Sequence, residues 1–344
     1  MAPLNWGLGH ATRCIPIINA LMQQGFSPLL GGDGDSLQLL IKEFPELPFY
    51  ELPAAEVAYS KKGSLLKYKL LSQAPKLLRA MGLEREVLKE IHQIENLSGI
   101  ISDNRFAARL EEVPSVYMTH QLKVLSGKTS SLSTVLHQNI IDKFDQCWVP
   151  DYALEGLAGE LSQSNKSFKH VKYIGPLSRC AKKSLKKKWD LVVVLSGPEP
   201  QRQYLEEKIM KQLVSFSGKS LVIQGIVEEK QKQDSFGAIT RVNFMLHQEL
   251  RDAIEAGHLI ISRSGYSSIM DMEALEAKAF FIPTPGQYEQ EYLAMHLEKK
   301  GIAGFSDQAS FDLHKSLKGK EYAGFRHKKT SNNKYTSLFD AFEQ

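Results

Sequence analysis

Four runs in the second half of the chain constrain the fold more than any other feature: DLVVVLSG (190–197), SLVIQG (220–225), HLIISRSG (258–265) and AFFIPTPG (279–286). Each is short, unbroken in apolar character and closed by a glycine. A strand wet on one face alternates apolar and polar residues, whereas a strand covered by helices on both faces does not. Stretches with helical apolar spacing lie between the runs. Such alternation builds a parallel sheet sandwiched between helices.

The first half repeats the scheme with SPLLGG (27–32), GIISD (99–103), SVYMTH (115–120) and QCWVPD (146–151). Ile15, Ile18, Leu21 and Met22 mark a helix ahead of a capping Gly25. Pro16 is tolerable only within a first turn, so that helix is expected to start close behind His10. The opening MAPLN leaves only about half a normal strand. A chain of 344 residues suits two medium domains. The expectation is an α/β protein of two doubly wound, Rossmann-like domains facing a cleft, with ligands beyond the carboxyl ends of the strands. The domains are expected at 1–172 and 189–325, joined by a lysine-rich linker at 173–188. A polar tail or short returning helix follows at 326–344.

Bulk properties exclude several functions. Apolar residues make up 42% and charged residues 24% of the chain, as in ordinary globular proteins. A net charge of +4 is too mild for a nucleic-acid binder, and basic residues lack interleaved aromatics. Cys14, Cys147 and Cys180 are distant and odd in number, which argues against disulfides and zinc alike and suggests a reduced, cytoplasmic setting. No apolar run approaches the roughly 20 residues of a membrane span.

The informative loops follow the strands. In LNWGLGHATR (4–13), Gly7 and Gly9 flank one residue and precede His10, just before a helix. Glycines there let backbone N–H groups approach a ligand. Thr12 stands where a dinucleotide fingerprint needs its third glycine, so that motif is excluded. In SRSGYSSIMDMEAL (262–275), Arg263, Ser264 and Gly265 end a strand and open a helix whose N-terminus suits a diphosphate. Ser267 and Asp271 lie four apart on one helical face, where Asp271 suits a ribose diol. In PTPGQYEQEYLA (283–294), Gly286, Gln287 and Gln290 open the next helix with amides suited to sugar hydroxyls. In SDNR (102–105) and MTHQ (118–121), two further strand ends place Asp103, Asn104, Arg105 and His120 in the first domain.

GLGHATR, SRSGYSSIMD and PTPGQYEQEYLA together resemble the motifs of nucleotide-sugar glycosyltransferases with the GT-B fold, and most nearly the MurG-like family that adds N-acetylglucosamine to a lipid-linked muramoyl-peptide. The resemblance follows the order of elements over most of the chain and is strongest in the C-terminal half. It implies that Ser264, Gly265 and Asp271 serve the diphosphate and ribose, with Asp where the family usually has Glu. It places Gln287 and Gln290 in the sugar-contacting segment, and Leu246 and His247 at the base. Gly197 and Arg202 of SGPEPQR (196–202) fall in a glycine-rich loop, here interrupted by Pro198 and Pro200. Gly7, Gly9 and His10 match the acceptor-side loop.

The expected activity is therefore transfer of a sugar from a nucleotide donor, most simply UDP-linked, to an acceptor hydroxyl with inversion. His10 and then Asp103 are the candidate bases. Asn104, Arg105 and His120 border the acceptor. No DxD-like metal motif ends a strand, since GGDGD (31–35) suits a turn, so no metal or other cofactor is expected. Arg263, Arg202 and helix N-termini would stabilise the leaving diphosphate. The basic, leucine-rich stretch at 59–82 suits an anionic membrane surface and a lipid-linked acceptor, and so a place at the inner face of the cell envelope membrane. A nucleotide-sugar hydrolase on the same scaffold and a non-catalytic nucleotide-sugar binder are the alternatives.

Overall fold

The computed structural model describes the chain except residues 54–65, 165, 167, 169, 227, 328–334 and 344. It divides into two compact units. The first comprises residues 1–156, 160–177 and 330–344; the second, 157–159 and 178–329.

In the first unit, β1 (Ala2–Pro3), β4 (Ile100–Asp103), β5 (Ser115–Met118), β6 (Gln146–Val149) and β7 (Val171–Tyr173) form a parallel sheet in that order. A parallel pair, β2 (Leu30–Gly32) and β3 (Phe49–Glu51), continues it, because Gly31 donates its N–H to the Met1 carbonyl at 3.0 Å. The order is thus β3-β2-β1-β4-β5-β6-β7, and the reversal between β1 and β4 is a topological switch point. Helix α1 (Gly9–Gln23) leaves β1, α2 (Gly34–Glu43) leaves β2, and α3 (Leu66–Glu95) and α4 (Ser130–Ile141) follow. Gly34, at φ 53°, makes the GGDGD turn that starts α2. Leu88 and Ile91 of α3 pack with Ala2, Ile100 and Leu110 on one face of the sheet. Tyr117, Cys147 and Val149 pack with Ile141 and Phe144 in a second cluster.

Pro16 lies inside α1, not in its first turn. The helix starts at Gly9 and carries His10 in its first turn. Eight of its fifteen residues, from Ala11 to Leu21, are buried, so packing rather than local hydrogen bonding holds the proline.

The second unit orders its strands β10-β11-β9-β8-β12-β13-β14. These are β8 (Leu191–Val194), β9 (Ser220–Ile223), β10 (Gln233–Phe236), β11 (Ile239–Val242), β12 (Ile260–Ser262), β13 (Ala279–Phe281) and β14 (Gly304–Phe305). Among the described residues of this sheet, only β10 is antiparallel. Helices α5 (Gln201–Leu213), α6 (His247–Glu255), α7 (Tyr266–Ala274) and α8 (Tyr288–Lys299) connect them. Leu205, Ile209 and Leu213 recur every four residues along α5 and bury against Leu191, Val193, Ile261 and Phe280. The switch point here lies between β8 and β12.

Two boundaries differ from the sequence expectation. The stretch expected as a linker joins the second unit from Ser178 onward. Its lysines are exposed, yet its backbone is fixed: Lys183 and Leu185 N–H groups donate to the Glu255 carboxylate, and Lys187 Nζ donates to the Gly257 carbonyl at 2.6 Å. The C-terminal residues do return, through α10 (Thr336–Phe339), and they return to the first unit, whereas α9 (Leu313–Ser316) belongs to the second. There Phe339 and Phe342 meet the rings of Phe26 and Trp148 at centroid distances of 6.0–6.4 Å. The basic stretch at 59–82 lies outside the described residues up to 65; from Leu66 its backbone is the start of α3. Among the described residues, no helix is long and apolar enough to cross a membrane.

Candidate functional site

The first unit gathers its chemistry at its switch point. β4 ends in Asp103, and α1 leaves β1 through a loop that Gly7 turns at φ 75°. With no atom within 4 Å of where a Cβ would stand, Gly7 is a conformational requirement rather than a packing one. Gly9 is the first residue of α1. Trp6 and Leu8 point outward, 57% and 38% exposed.

Asp103 is wholly buried and receives three donors from α1. Arg13 Nε donates to Oδ2 at 2.7 Å, Arg13 Nη2 donates to Oδ1, and the Cys14 thiol reaches Oδ2 at 3.7 Å. Burial opposes ionisation, but Arg13 and then His10 outweigh it and hold the carboxyl at about 2. Asp103 is therefore a fixed counter-ion and not a base near neutral pH, which corrects the second catalytic assignment. His10 Nδ1 lies 3.2 Å from Asp103 Oδ1 and 2.9 Å from Arg13 Nη2. Its Nε2 has no partner among the described residues. Burial lowers the imidazole pKa against the pull of Asp103, so His10 is neutral at neutral pH. His120, expected at the border of an acceptor, is buried behind this group with Nδ1 3.1 Å from Arg13 Nη1.

Two further assignments in this unit change. Arg105 is buried, and its guanidinium is engaged by Glu84 at 2.7 Å, by Asp33 and by the Pro53 carbonyl at 2.9 Å. It clamps α2, α3 and the β4 loop together and offers nothing to an acceptor. Asn104 takes φ 59°, and its Oδ1 accepts from the Tyr117 hydroxyl at 3.0 Å.

In the second unit, β8 and β12 end at Gly197 and at Arg263–Gly265. Gly197 has φ 102°, and a Cβ there would stand 3.4 Å from Thr284 Oγ1. Arg263 is 1% exposed and donates to the carbonyls of Ile282, Pro283 and Gln201 and to Gln308 Oε1. Burial brings its pKa down to about 10. Arg202 pairs with Glu199 and Glu206 and donates to the Gln224 carbonyl. Both arginines hold strand ends together. Each is bonded on several sides within its own unit, and Arg263 Nε is left buried without a partner.

Helix α7 starts behind Gly265, its N-cap. Ser264 does not cap it, since its hydroxyl donates to the Gln290 carbonyl at 2.7 Å. Gln290 Oε1 accepts the Thr284 N–H at 2.8 Å, and its Nε2 donates to Gln287 Oε1 at 2.5 Å. Gly286 turns at φ 80° and donates its N–H to Glu291 at 3.0 Å. The two glutamines thus shape the loop, leaving the Gln287 Nε2 without a partner among the described residues. Ser267 and Asp271 both lie on α7, as expected. Asp271 Oδ1 accepts from the Ser178 hydroxyl at 2.6 Å, and burial lifts its pKa above the ordinary carboxylate value.

The region that faces Asp271 contains a residue the sequence reading passed over. Arg179 makes no hydrogen bond or ion pair among the described residues, yet it lies near enough to depress the pKa values of Asp271, Cys180 and His247. His247 is held at about 4 by burial first and then by Arg179 and Arg251. Its Nδ1 is buried without a partner. The N–H of Leu246, 59% exposed at the start of α6, donates to Glu249 at 3.2 Å. Arg179 was hidden in sequence by the lysine run that follows it. Arg13, three residues from His10, could have been found by helical spacing.

Comparison with known proteins agrees with this architecture. Residues 191–339 match the glycosyltransferase family 28 C-terminal domain. An uncharacterized glycosyltransferase of Methanopyrus kandleri is 21% identical over 318 residues, 86% of each chain. The UDP-N-acetylglucosamine–N-acetylmuramyl-(pentapeptide) pyrophosphoryl-undecaprenol N-acetylglucosamine transferase of Pasteurella multocida is 22% identical, over 89% of this chain and 83% of its own. The crystal structure of the kitacinnamycin glycotransferase superposes with a TM-score of 0.64 at 12% identity, over 100% of this chain and 94% of that one. The two Rossmann-like units make up the GT-B fold. The C-terminal half thus matches a glycosyltransferase domain, and the chain as a whole is similar to glycosyltransferases, a MurG-like transferase among them.

Proposed function

We propose that the protein transfers a sugar from a UDP-linked donor to the hydroxyl of a lipid-linked acceptor, with inversion. The observation that carries this reading is the His10 imidazole, neutral, backed by a buried carboxylate and with Nε2 unpartnered. Such a group takes a proton from an attacking hydroxyl. In the second unit, unpaired Arg179 would face the diphosphate and Asp271 the ribose, as cations and carboxylates do in nucleotide sites. A diphosphate stabilised by fixed cationic and backbone donors is a better leaving group. Exposed Trp6 and Leu8 supply apolar surface next to His10 for a lipid-linked acceptor, which agrees with the named substrate of the Pasteurella relative. That acceptor class would bring the protein to the inner face of a membrane.

The test is a donor screen read by released nucleotide, with and without undecaprenyl-diphosphate-linked acceptors. UDP release that depends on acceptor, and that falls by roughly 10²–10⁴-fold in His10→Gln, is expected. Release without any acceptor would identify a hydrolase. Binding without release would identify a sensor.

A further inference from the structure

The guanidinium of Arg13 stands between the two groups the proposed base depends on. An arginine only donates hydrogen bonds. Its Nη2 carries two hydrogens, one directed to Asp103 Oδ1 and the other to His10 Nδ1 at 2.9 Å. His10 Nδ1 also lies 3.2 Å from Asp103 Oδ1. One nitrogen cannot accept from Arg13 and donate to Asp103 at once. If Nδ1 accepts, the ring's single proton is on Nε2, and the outward nitrogen is a donor. If Nδ1 donates, Nε2 has a free lone pair and is a base. His120 meets Arg13 Nη1 through its own Nδ1 at 3.1 Å, so both histidines bear on one guanidinium.

We propose that Arg13 is a positioning residue that decides which nitrogen of His10 carries the proton, holding the resting ring as the Nε2–H form and yielding Nδ1 to Asp103 when His10 acts as a base. The two forms are both neutral and differ only in where one proton sits, so no proton is gained or lost overall. The proposal rests on His10 as the base and concerns its control. The charged and titratable groups bearing on the imidazole are Asp103 of β4, Arg13 of α1 and His120 after β5, and the Cys14 thiol of α1 reaches the same Asp103 carboxylate. Arg13 weakens His10 as a base by its charge and by occupying the carboxylate. Removing it would strengthen that base.

The test is nitrogen NMR of the full chain labelled with ¹⁵N-histidine, with His10→Gln used to assign the His10 pair. In the unaltered protein above the His10 pKa, an unprotonated Nδ1 and a protonated Nε2 are expected. In Arg13→Gln the two signals should exchange character, and the His10 titration should move to higher pH. Arg13→Lys keeps the charge but cannot span both partners, so it should change the tautomer with a smaller movement of the titration. It also serves if the glutamine variant does not fold. A protonated Nδ1 in the unaltered protein, or an unchanged tautomer in both variants, overturns the proposal. Because these readings need no substrate, they separate it from the catalytic role of His10, which the donor screen tests.

Discussion

The hydroxyl of Ser178 donates to Oδ1 of Asp271 at 2.6 Å, joining residues 93 apart in sequence. Ser178 follows directly on the crossing from the first unit, and Asp271 lies on α7. The bond fixes the start of the second unit against the helix proposed to hold the ribose. It also places the next residue, Arg179, beside the same carboxylate. One carboxylate is therefore both a structural anchor and the proposed recognition group.

Asp271→Ala is expected to weaken UDP binding by roughly 10- to 100-fold, the loss of one or two hydrogen bonds to a charged group. Calorimetric titration measures it. Ser178→Ala separates the two roles, since it should lower thermal stability while leaving UDP affinity within about threefold. Equal UDP affinity in Asp271→Ala and the parent would remove Asp271 from the site.

Arg179→Ala should discriminate among ligands. A cation that makes no hydrogen bond of its own contributes to binding chiefly where the ligand brings negative charge. Affinity for UDP should fall by roughly 10- to 100-fold, whereas uridine should bind the variant and the parent alike. The UDP affinity of the parent should also fall with added salt more steeply than that of the variant. Parallel losses for UDP and uridine would point to a collapsed loop instead.

Stability should decline with acid in two windows. His137 is buried and held at about 4, below the ordinary imidazole value of 6.5, mainly by burial. The unfolded chain accepts that proton first, so stability present above about pH 6.5 is lost as pH falls towards 4. Asp103 is held at about 2 against 3.8 when unperturbed. Its contribution, on the order of 2–3 kcal/mol, is fully present above about pH 4 and is lost as pH falls through 2. Urea denaturation at stepped pH reads both. Asp103→Asn should cost about 3–5 kcal/mol at neutral pH, because Arg13 is left buried without its counter-charge. It should also abolish the lower window and keep the upper one.

Gly225→Ala and Gly237→Ala form a matched pair. Both glycines have left-handed backbone, φ 71° and 59°, for which an alanine costs about 1–2 kcal/mol. At Gly237 the added methyl meets open space, but at Gly225 it runs into the carbonyl oxygen of Leu195. Thermal unfolding should show a clearly larger loss for Gly225→Ala. Equal losses would mean that the β8 loop moves aside freely.

The central strands were legible because burial on both faces writes itself as an unbroken apolar run, as in LVVV of β8 and SLVI of β9. The edge strands were not. β3 and β10 are mostly or wholly exposed, so nothing in FYE or QDSF separates them from loop. At the sites, glycine loops and helix starts marked where His10 and Asp271 would lie. What sequence could not tell was how each charge is spent. Arg105 meets Asp33 from 72 residues away, and Arg263 meets Gln308 from 45. Only packing decides whether a guanidinium ends in a carboxylate of the protein or remains for a ligand.

The return of the C-terminal residues to the first unit has a consequence for biosynthesis. Domains generally fold in order as the chain leaves the ribosome. Here the first unit cannot close early, because Phe339 and Phe342 fill the space beside Phe26 and Trp148. Until those two rings have been made, the half of the protein translated first holds an unfilled aromatic pocket. The half translated second, apart from the short excursion at 157–159, can already be complete. A chain released after residue 329 would therefore carry every residue of the C-terminal unit but an unfinished N-terminal one.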